Sequence, residues 1–149
     1  MNACPCCGAF PILQWLREKG VRLKPGPSHL LRYTFENAGA YREVGELLDD
    51  AGVSDSTARA WMVKKSLPSP SAWLELARAL HVGRSIYEHP WLSAHEIGTL
   101  NGYADRSGMS KLLARNFELC LPDLQARFEP AELVEAWWER STRKQEVAV

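Results

Sequence analysis

The stretch Gly102-Tyr103-Ala104-Asp105-Arg106-Ser107-Gly108-Met109-Ser110-Lys111-Leu112-Leu113-Ala114-Arg115 decides the fold. It follows Leu92-Ser93-Ala94-His95-Glu96-Ile97-Gly98-Thr99-Leu100, and together they read as helix, short turn, helix. Ser93 is placed to cap the first helix, with Glu96 three positions on completing a capping box. Ile97 and Leu100 supply an apolar face at helical spacing. Asn101-Gly102 ends that helix, because both residue types tolerate the left-handed conformation. Met109, Leu112 and Leu113 give the second helix its buried side, leaving Arg106, Ser107, Ser110 and Lys111 on the polar one. A short polar helix held by a tight glycine turn has the geometry that enters a DNA major groove. The same pattern also suits an αα-hairpin within a helical core.

A second unit of the same design lies upstream. Val44-Gly45-Glu46-Leu47-Leu48-Asp49-Asp50-Ala51-Gly52-Val53 reads as helix and turn, and residues 54–65 as a capped helix opening at Ser54. Val44, Leu47 and Leu48 are expected to face Ala58, Trp61 and Met62, so that Ser56, Arg59 and Lys64 project outward. Gly52-Val53-Ser54 followed by Ser56-Thr57, Arg59 and Trp61 is a familiar pattern for helix-turn-helix units in general.

Two such units joined by one helix resemble the DNA-binding domain of AraC-type transcription factors. The joining segment, residues 69–80, is similar to that family's linker helix: it opens Ser69-Pro70 and carries Trp73-Leu74 and Arg78. The second unit resembles the family's signature region at Ile97, Gly102-Tyr103, Asp105, Ser107, Ser110-Lys111, Arg115, Phe117 and Pro122. Leu67 and Glu118 stand where the family usually has Gly, and Met109 and Leu113 where it has Phe. Pro122 comes one residue late, and Ala60 replaces a common basic residue. The resemblance implies an all-α fold, two helix-turn-helix subdomains joined by a linker helix over residues 28–125. Residues 1–27 are then a Cys-rich segment and basic linker, and residues 126–149 a C-terminal helix and tail. It further implies base contacts from Ser56, Thr57 and Arg59 in the first unit and from Arg106, Ser107, Ser110 and Lys111 in the second, in successive major grooves. Arg59 and Arg106 suit guanine O6 and N7. Lys64, Lys65 and Arg115 are assigned to phosphates, which add affinity without reading sequence.

Composition sets the limits. The 149 residues are 46% hydrophobic, enough for a core, and no apolar run approaches the length of a membrane span. The first residues lack the basic start and apolar run of a secretory signal, so a cytoplasmic protein is expected. Eighteen basic and eighteen acidic residues cancel, where a nucleic-acid binder usually shows a basic excess. The distribution is uneven: residues 1–42 carry a surplus of four positive charges and residues 43–65 a deficit of two. Neutrality predicts modest non-specific affinity and a shallow salt dependence.

Cys4-Pro5-Cys6-Cys7-Gly8 places Cys4 and Cys7 at the spacing of half a zinc site. Cys6, Cys120 or one of His29, His81, His89 and His95 could complete it, none at diagnostic spacing. The same thiols could instead form a redox pair or a terminus without an assigned role. Ile12, Leu13, Trp15 and Leu16 fall at helical intervals, and Gly20 to Pro27 reads as a break rich in Arg and Lys. Those cations suit either a phosphate-seeking arm or a solvated surface. Ser28 is expected to cap a helix through Phe35 that Gly39 ends, and Gly83 to loosen the chain after the linker helix. Glu129-Pro130 opens a last helix with Leu133, Val134, Trp137 and Trp138 on one stripe, and residues from Ser141 are expected to fray.

No Gly-rich phosphate loop, His-Glu-x-x-His or nucleophile with a credible base is present, so no enzyme is expected. Three functions fit: a DNA-binding transcriptional regulator, a protein-interaction adaptor docking through Trp137 and Trp138, and a metal- or thiol-responsive regulator using Cys4, Cys6 and Cys7. The first implies double-stranded DNA as partner, with RNA polymerase or another protein beside it, and no membrane. Zinc is the only cofactor in prospect.

Overall fold

A computed structural model describes residues 9–147, with side chains from Ala9 to Arg143, and every regular element among them is a helix. In order these are α1 (Ile12–Glu18), α2 (Pro25–Glu36), α3 (Val44–Ala51), α4 (Asp55–Lys64), α5 (Pro70–Glu88), α6 (Ala94–Leu100), α7 (Arg106–Phe117), α8 (Leu121–Ala126) and α9 (Pro130–Val147). The chain divides into two compact units, residues 1–77 and 78–149, with the boundary inside α5. No helix of the described residues is long and apolar enough to cross a membrane.

In the first unit α2 packs on α1, α3 and α4, and α3 packs on α4. Leu16, Leu30, Leu31, Leu47, Ala58, Met62 and Trp73 are almost wholly buried there. Phe35 meets Trp73 edge-on with ring centroids 6.2 Å apart, a favoured aromatic geometry. Tyr41 donates its hydroxyl to Asp50 at 2.6 Å and lies 2.6 Å from the Tyr33 hydroxyl. Those two bonds hold the Tyr41 phenol protonated far above the ordinary range.

In the second unit α7 packs on α6 and α9 around Ile97, Met109, Leu112, Leu113, Val134 and Trp137. The buried Asn116 amide is satisfied by the Leu112 carbonyl at 2.9 Å, and Arg140 of α9 donates to the Asn116 carbonyl. Trp137 is buried and Trp138 half-buried, which leaves little of the pair exposed.

Helix ends repeat one device. After α3 the Val53 N–H reaches the Leu48 carbonyl (3.0 Å) and the Gly52 N–H reaches that of Asp49 (3.2 Å). After α6 the Tyr103 N–H reaches Gly98 (2.8 Å) and the Gly102 N–H reaches Thr99 (3.0 Å). The end of α4 has the same pair, Leu67 to Met62 (2.9 Å) and Ser66 to Val63 (3.0 Å). Each is a Schellman closure, with a left-handed residue followed by an apolar one that folds back over the helix. Gly52 (φ 75°) and Gly102 (φ 81°) adopt that conformation without a Cβ penalty. Ser66 (φ 55°) and, at the end of α7, Glu118 (φ 57°) bear the penalty. They lie at or next to the two places where the AraC-type pattern has Gly.

Several expectations are corrected. α2 begins at Pro25 rather than at Ser28, since proline at the first helical positions lacks only an N–H that would be unpaired anyway. It ends at Glu36, and Gly39 lies in the 3₁₀ turn Ala38–Ala40 that follows. Gly83 does not loosen the chain: it is buried within α5, where an added Cβ would come 2.9 Å from Phe128 Cε1. The helix opened by the Ser69 hydroxyl cap therefore runs on to Glu88. Leu100 is 59% exposed, because Gly98 takes the second inward position of α6 beside Ile97. α9 continues through Val147 instead of fraying at Ser141. Trp61 packs on Gly26 of α2, whose added Cβ would come 2.8 Å from Cζ2 of the indole.

Ser66→Gly is expected to stabilise the first unit by about 1 kcal/mol, and Gly52→Ala to destabilise it by about 1–2 kcal/mol. Urea unfolding followed by far-UV circular dichroism reads both. At the start of α6 the Ser93 N–H and hydroxyl form the expected capping box with Glu96, and the N–H bond lowers the Glu96 pKa. That contribution is complete above the ordinary glutamate pKa and is lost as the pH falls through the lower folded value. Glu96→Gln should therefore flatten the acid limb of stability below about pH 4.5, measured as urea midpoint against pH.

Candidate nucleic-acid interface

α4 and α7 are built on one register. Ser54 caps α4 by accepting the Thr57 N–H at 3.2 Å, and Asp105 caps α7 by accepting those of Ser107 (2.9 Å) and Gly108 (3.4 Å). Four and eight residues beyond each cap lie the buried anchors, Ala58 and Met62 in α4, Met109 and Leu113 in α7. The spacing follows from the helical repeat, which returns a side chain to the same face every three to four residues.

The outward positions then correspond pairwise. Asp55 in α4 matches Arg106 in α7, Ser56 matches Ser107, Arg59 matches Ser110, Ala60 matches Lys111, and Lys64 matches Arg115. All ten residues expected at the interface (Ser56, Thr57, Arg59, Lys64, Lys65, Arg106, Ser107, Ser110, Lys111 and Arg115) are exposed, five on each unit. Around the helix, Ser107, Lys111 and Ala114 stand opposite the Met109 anchor, with Arg115 beside them and Arg106 on the flank of the first turn.

The two faces differ in charge. α7 carries Arg106, Lys111 and Arg115 and no acidic residue. α4 carries Asp55, whose carboxylate lies 2.9 Å from Arg59 Nε with the two side chains 56% and 70% exposed. An exposed pair of this kind contributes at most about 1 kcal/mol, so Arg59 can exchange Asp55 for another anion at small cost. α4 also exposes Ala60 and, at 76%, Val63, apolar groups of the kind that touch a thymine methyl. Thr57 Oγ1 accepts the Ser54 hydroxyl at 2.8 Å, which ties the threonine to the cap.

Tyr103 fixes the start of α7. Its hydroxyl accepts from Arg78 Nη2 at 2.6 Å, the guanidinium lies 5.4 Å from its ring centroid, and its Cδ1 would lie 3.2 Å from a Cβ placed on Gly108. Arg78 and Tyr103, two motif residues of the sequence, thus meet across the second unit. The Asp105 cap and the Asp55–Arg59 pair were not among the sequence expectations. Their signals were present: Asp directly before a helix, and opposite charges four residues apart.

Among the described residues no group of three or more His, Cys, Asp or Glu side chains could hold a metal ion. Cys4, Cys6 and Cys7 lie outside the described residues. Cys120 is exposed, and both its N–H (2.9 Å) and Sγ (3.0 Å) bond the Asp123 carboxylate, which lowers that carboxylate's pKa. No protein-family model, curated protein or solved structure matches this chain.

Asp105→Ala is expected to remove the α7 cap and cost the second unit about 1 kcal/mol, with Asp105→Asn retaining most of it. Thermal unfolding of the two variants beside the parent chain is the measurement.

Proposed function

We propose that this chain is a sequence-specific DNA-binding regulator of transcription, with α3–α4 and α6–α7 acting as two helix-turn-helix units on the AraC-like plan. The observation that supports this reading is the outward face of α7. Arg106, Ser107, Ser110, Lys111 and Arg115 are all exposed on a helix whose opposite side is locked into the core by Met109, Leu112 and Leu113. Such a helix presents cations and hydroxyls in fixed register without moving its backbone, which is what reading base edges requires.

In this reading α7 does most of the work. Arg106, in the first turn where recognition helices meet bases, makes the bidentate contact to guanine, worth about 1–3 kcal/mol of discrimination. Ser107, Ser110 and Lys111 read neighbouring positions, and Arg115 rests on a phosphate. α4 contributes Ser56, Thr57 and Arg59, the last after releasing Asp55, and its apolar Ala60 and Val63 favour thymine. A cytoplasmic setting and contact with RNA polymerase or another protein belong to the same proposal. A metal- or thiol-responsive version would add Cys4, Cys6 and Cys7 as its input. Zinc content of the purified chain against a Cys4→Ser/Cys7→Ser variant tests that addition.

The test of the main reading is selection of bound sequences from a random duplex pool. A bipartite motif is expected, more strongly enriched in the half read by α7. Arg106→Ala should weaken binding to the selected site about 10–100-fold while changing binding to random duplex little. Equal loss on both would place Arg106 on a phosphate. No enrichment and no binding at low salt would remove the DNA reading.

A further inference from the structure

The contact between Gly26 and Trp61 brings together two basic segments that lie about forty residues apart in the chain. Gly26 is in the first turn of α2, and a Cβ there would come within 2.8 Å of Cζ2 and 3.0 Å of Cη2 of the indole. Directly before that turn are Arg22 and Lys24, both exposed. One helical turn after Trp61 come Lys64 and Lys65, also exposed.

The position of Trp61 around α4 settles which side of the reading face this is. With Ala58 and Met62 turned inward, Trp61 lies on the flank next to Thr57 and Lys64, and Asp55 and Arg59 occupy the opposite flank. The start of α2 therefore borders the Lys64 side of α4 and lies away from the Asp55 carboxylate. Glu36, the acidic residue of α2, is at the far end of that helix, roughly 15 Å along its axis. The Gly26–Trp61 contact thus makes the segment that carries Arg22 and Lys24 adjoin the part of α4 that leads to Lys64 and Lys65, and these four exposed cations are taken together as one patch.

The geometry points to this patch as a footing of the first unit on the DNA phosphate backbone. The assignment rests on the DNA-binding reading above and extends it: Lys64 and Lys65 share their phosphate run with Arg22 and Lys24, which precede the helix-turn-helix altogether. A strand of B-DNA presents a phosphate every few ångströms, and flexible cationic side chains on adjoining elements match it by charge alone. α4 has a net charge of one, Asp55 against Arg59 and Lys64, with Lys65 at its end, so Arg22 and Lys24 add two positive charges that the helix-turn-helix does not itself carry. It contributes no sequence preference.

The test is the salt dependence of binding of the full chain to a random-sequence 30-base-pair duplex, followed by fluorescence anisotropy. The slope of log K against log salt should become shallower by about 0.9 for each phosphate contact removed. Arg22→Gln/Lys24→Gln and Lys64→Gln/Lys65→Gln should each reduce it by up to about 2. Preference for a selected site over random duplex should stay unchanged in both. Arg32→Gln, an exposed change elsewhere on α2, should leave the slope as it is. An unaltered slope in Arg22→Gln/Lys24→Gln, with the parent chain binding normally, overturns the composite footing and leaves the DNA reading standing. Failure of the parent chain to bind at any salt overturns both.

Discussion

The left-handed residue that closes a helix is the constraint on which the other features depend. At Gly52 and Gly102 it turns the chain within two or three residues, so that the next helix starts at a fixed offset from the last. The apolar residue that follows, Val53 or Tyr103, then covers the helix end and anchors the turn. Ser66 shows how strongly the closure is favoured. A non-glycine residue in this region costs about 1–2 kcal/mol, yet the turn forms, because Leu67 behind it is buried to 4% exposure. Burial of one leucine side chain contributes about 1.5–3 kcal/mol and outweighs the backbone penalty.

Once turns and anchors fix the two helices, their outward residues are free to diverge. The core positions of α4 and α7 can tolerate Ala58 against Met109 or Met62 against Leu113, because packing elsewhere compensates for volume. The outward positions carry no such duty, and there the two helices differ in charge: Asp55 against Arg106, Ala60 against Lys111. Surface substitutions of this sort cost little stability. The proposed division of labour, α7 reading and α4 assisting, needs no change in the scaffold.

Much of this was legible from residue pattern alone. The α6 cap at Ser93 and Glu96, the glycine turns and the anchors Met109, Leu112 and Leu113 are local or periodic features, and pattern reads those directly. What pattern missed depends on residues far apart in the chain. Gly83 and Gly26 look like breaks in one dimension, yet both lie in helices where an aromatic ring, Phe128 or Trp61, occupies the space of the missing Cβ. Leu100 looks like an anchor by spacing, but Gly98 holds the inward place. The spacing of Asp55 and Arg59, four residues apart, already marked them as a pair, whereas only the folded chain puts Arg78 on Tyr103.

Net charge is a poor guide in such a molecule because charge acts locally. At physiological salt an exposed charge is screened beyond about 8 Å, so a surface patch responds to its immediate neighbours rather than to the total. The total here is zero, yet α7 presents Arg106, Lys111 and Arg115 without an acid on the same helix. Several acids serve the fold: Asp50 accepts from Tyr41, Glu96, Asp105 and Asp123 hold helix starts, and Glu129 and Glu132 pair with Arg127. Carboxylates used in this way are partly neutralised by their own donors, which reduces their pull on cations elsewhere on the surface. A neutral chain can therefore carry a cationic face, provided that its anions are spent on caps and pairs elsewhere.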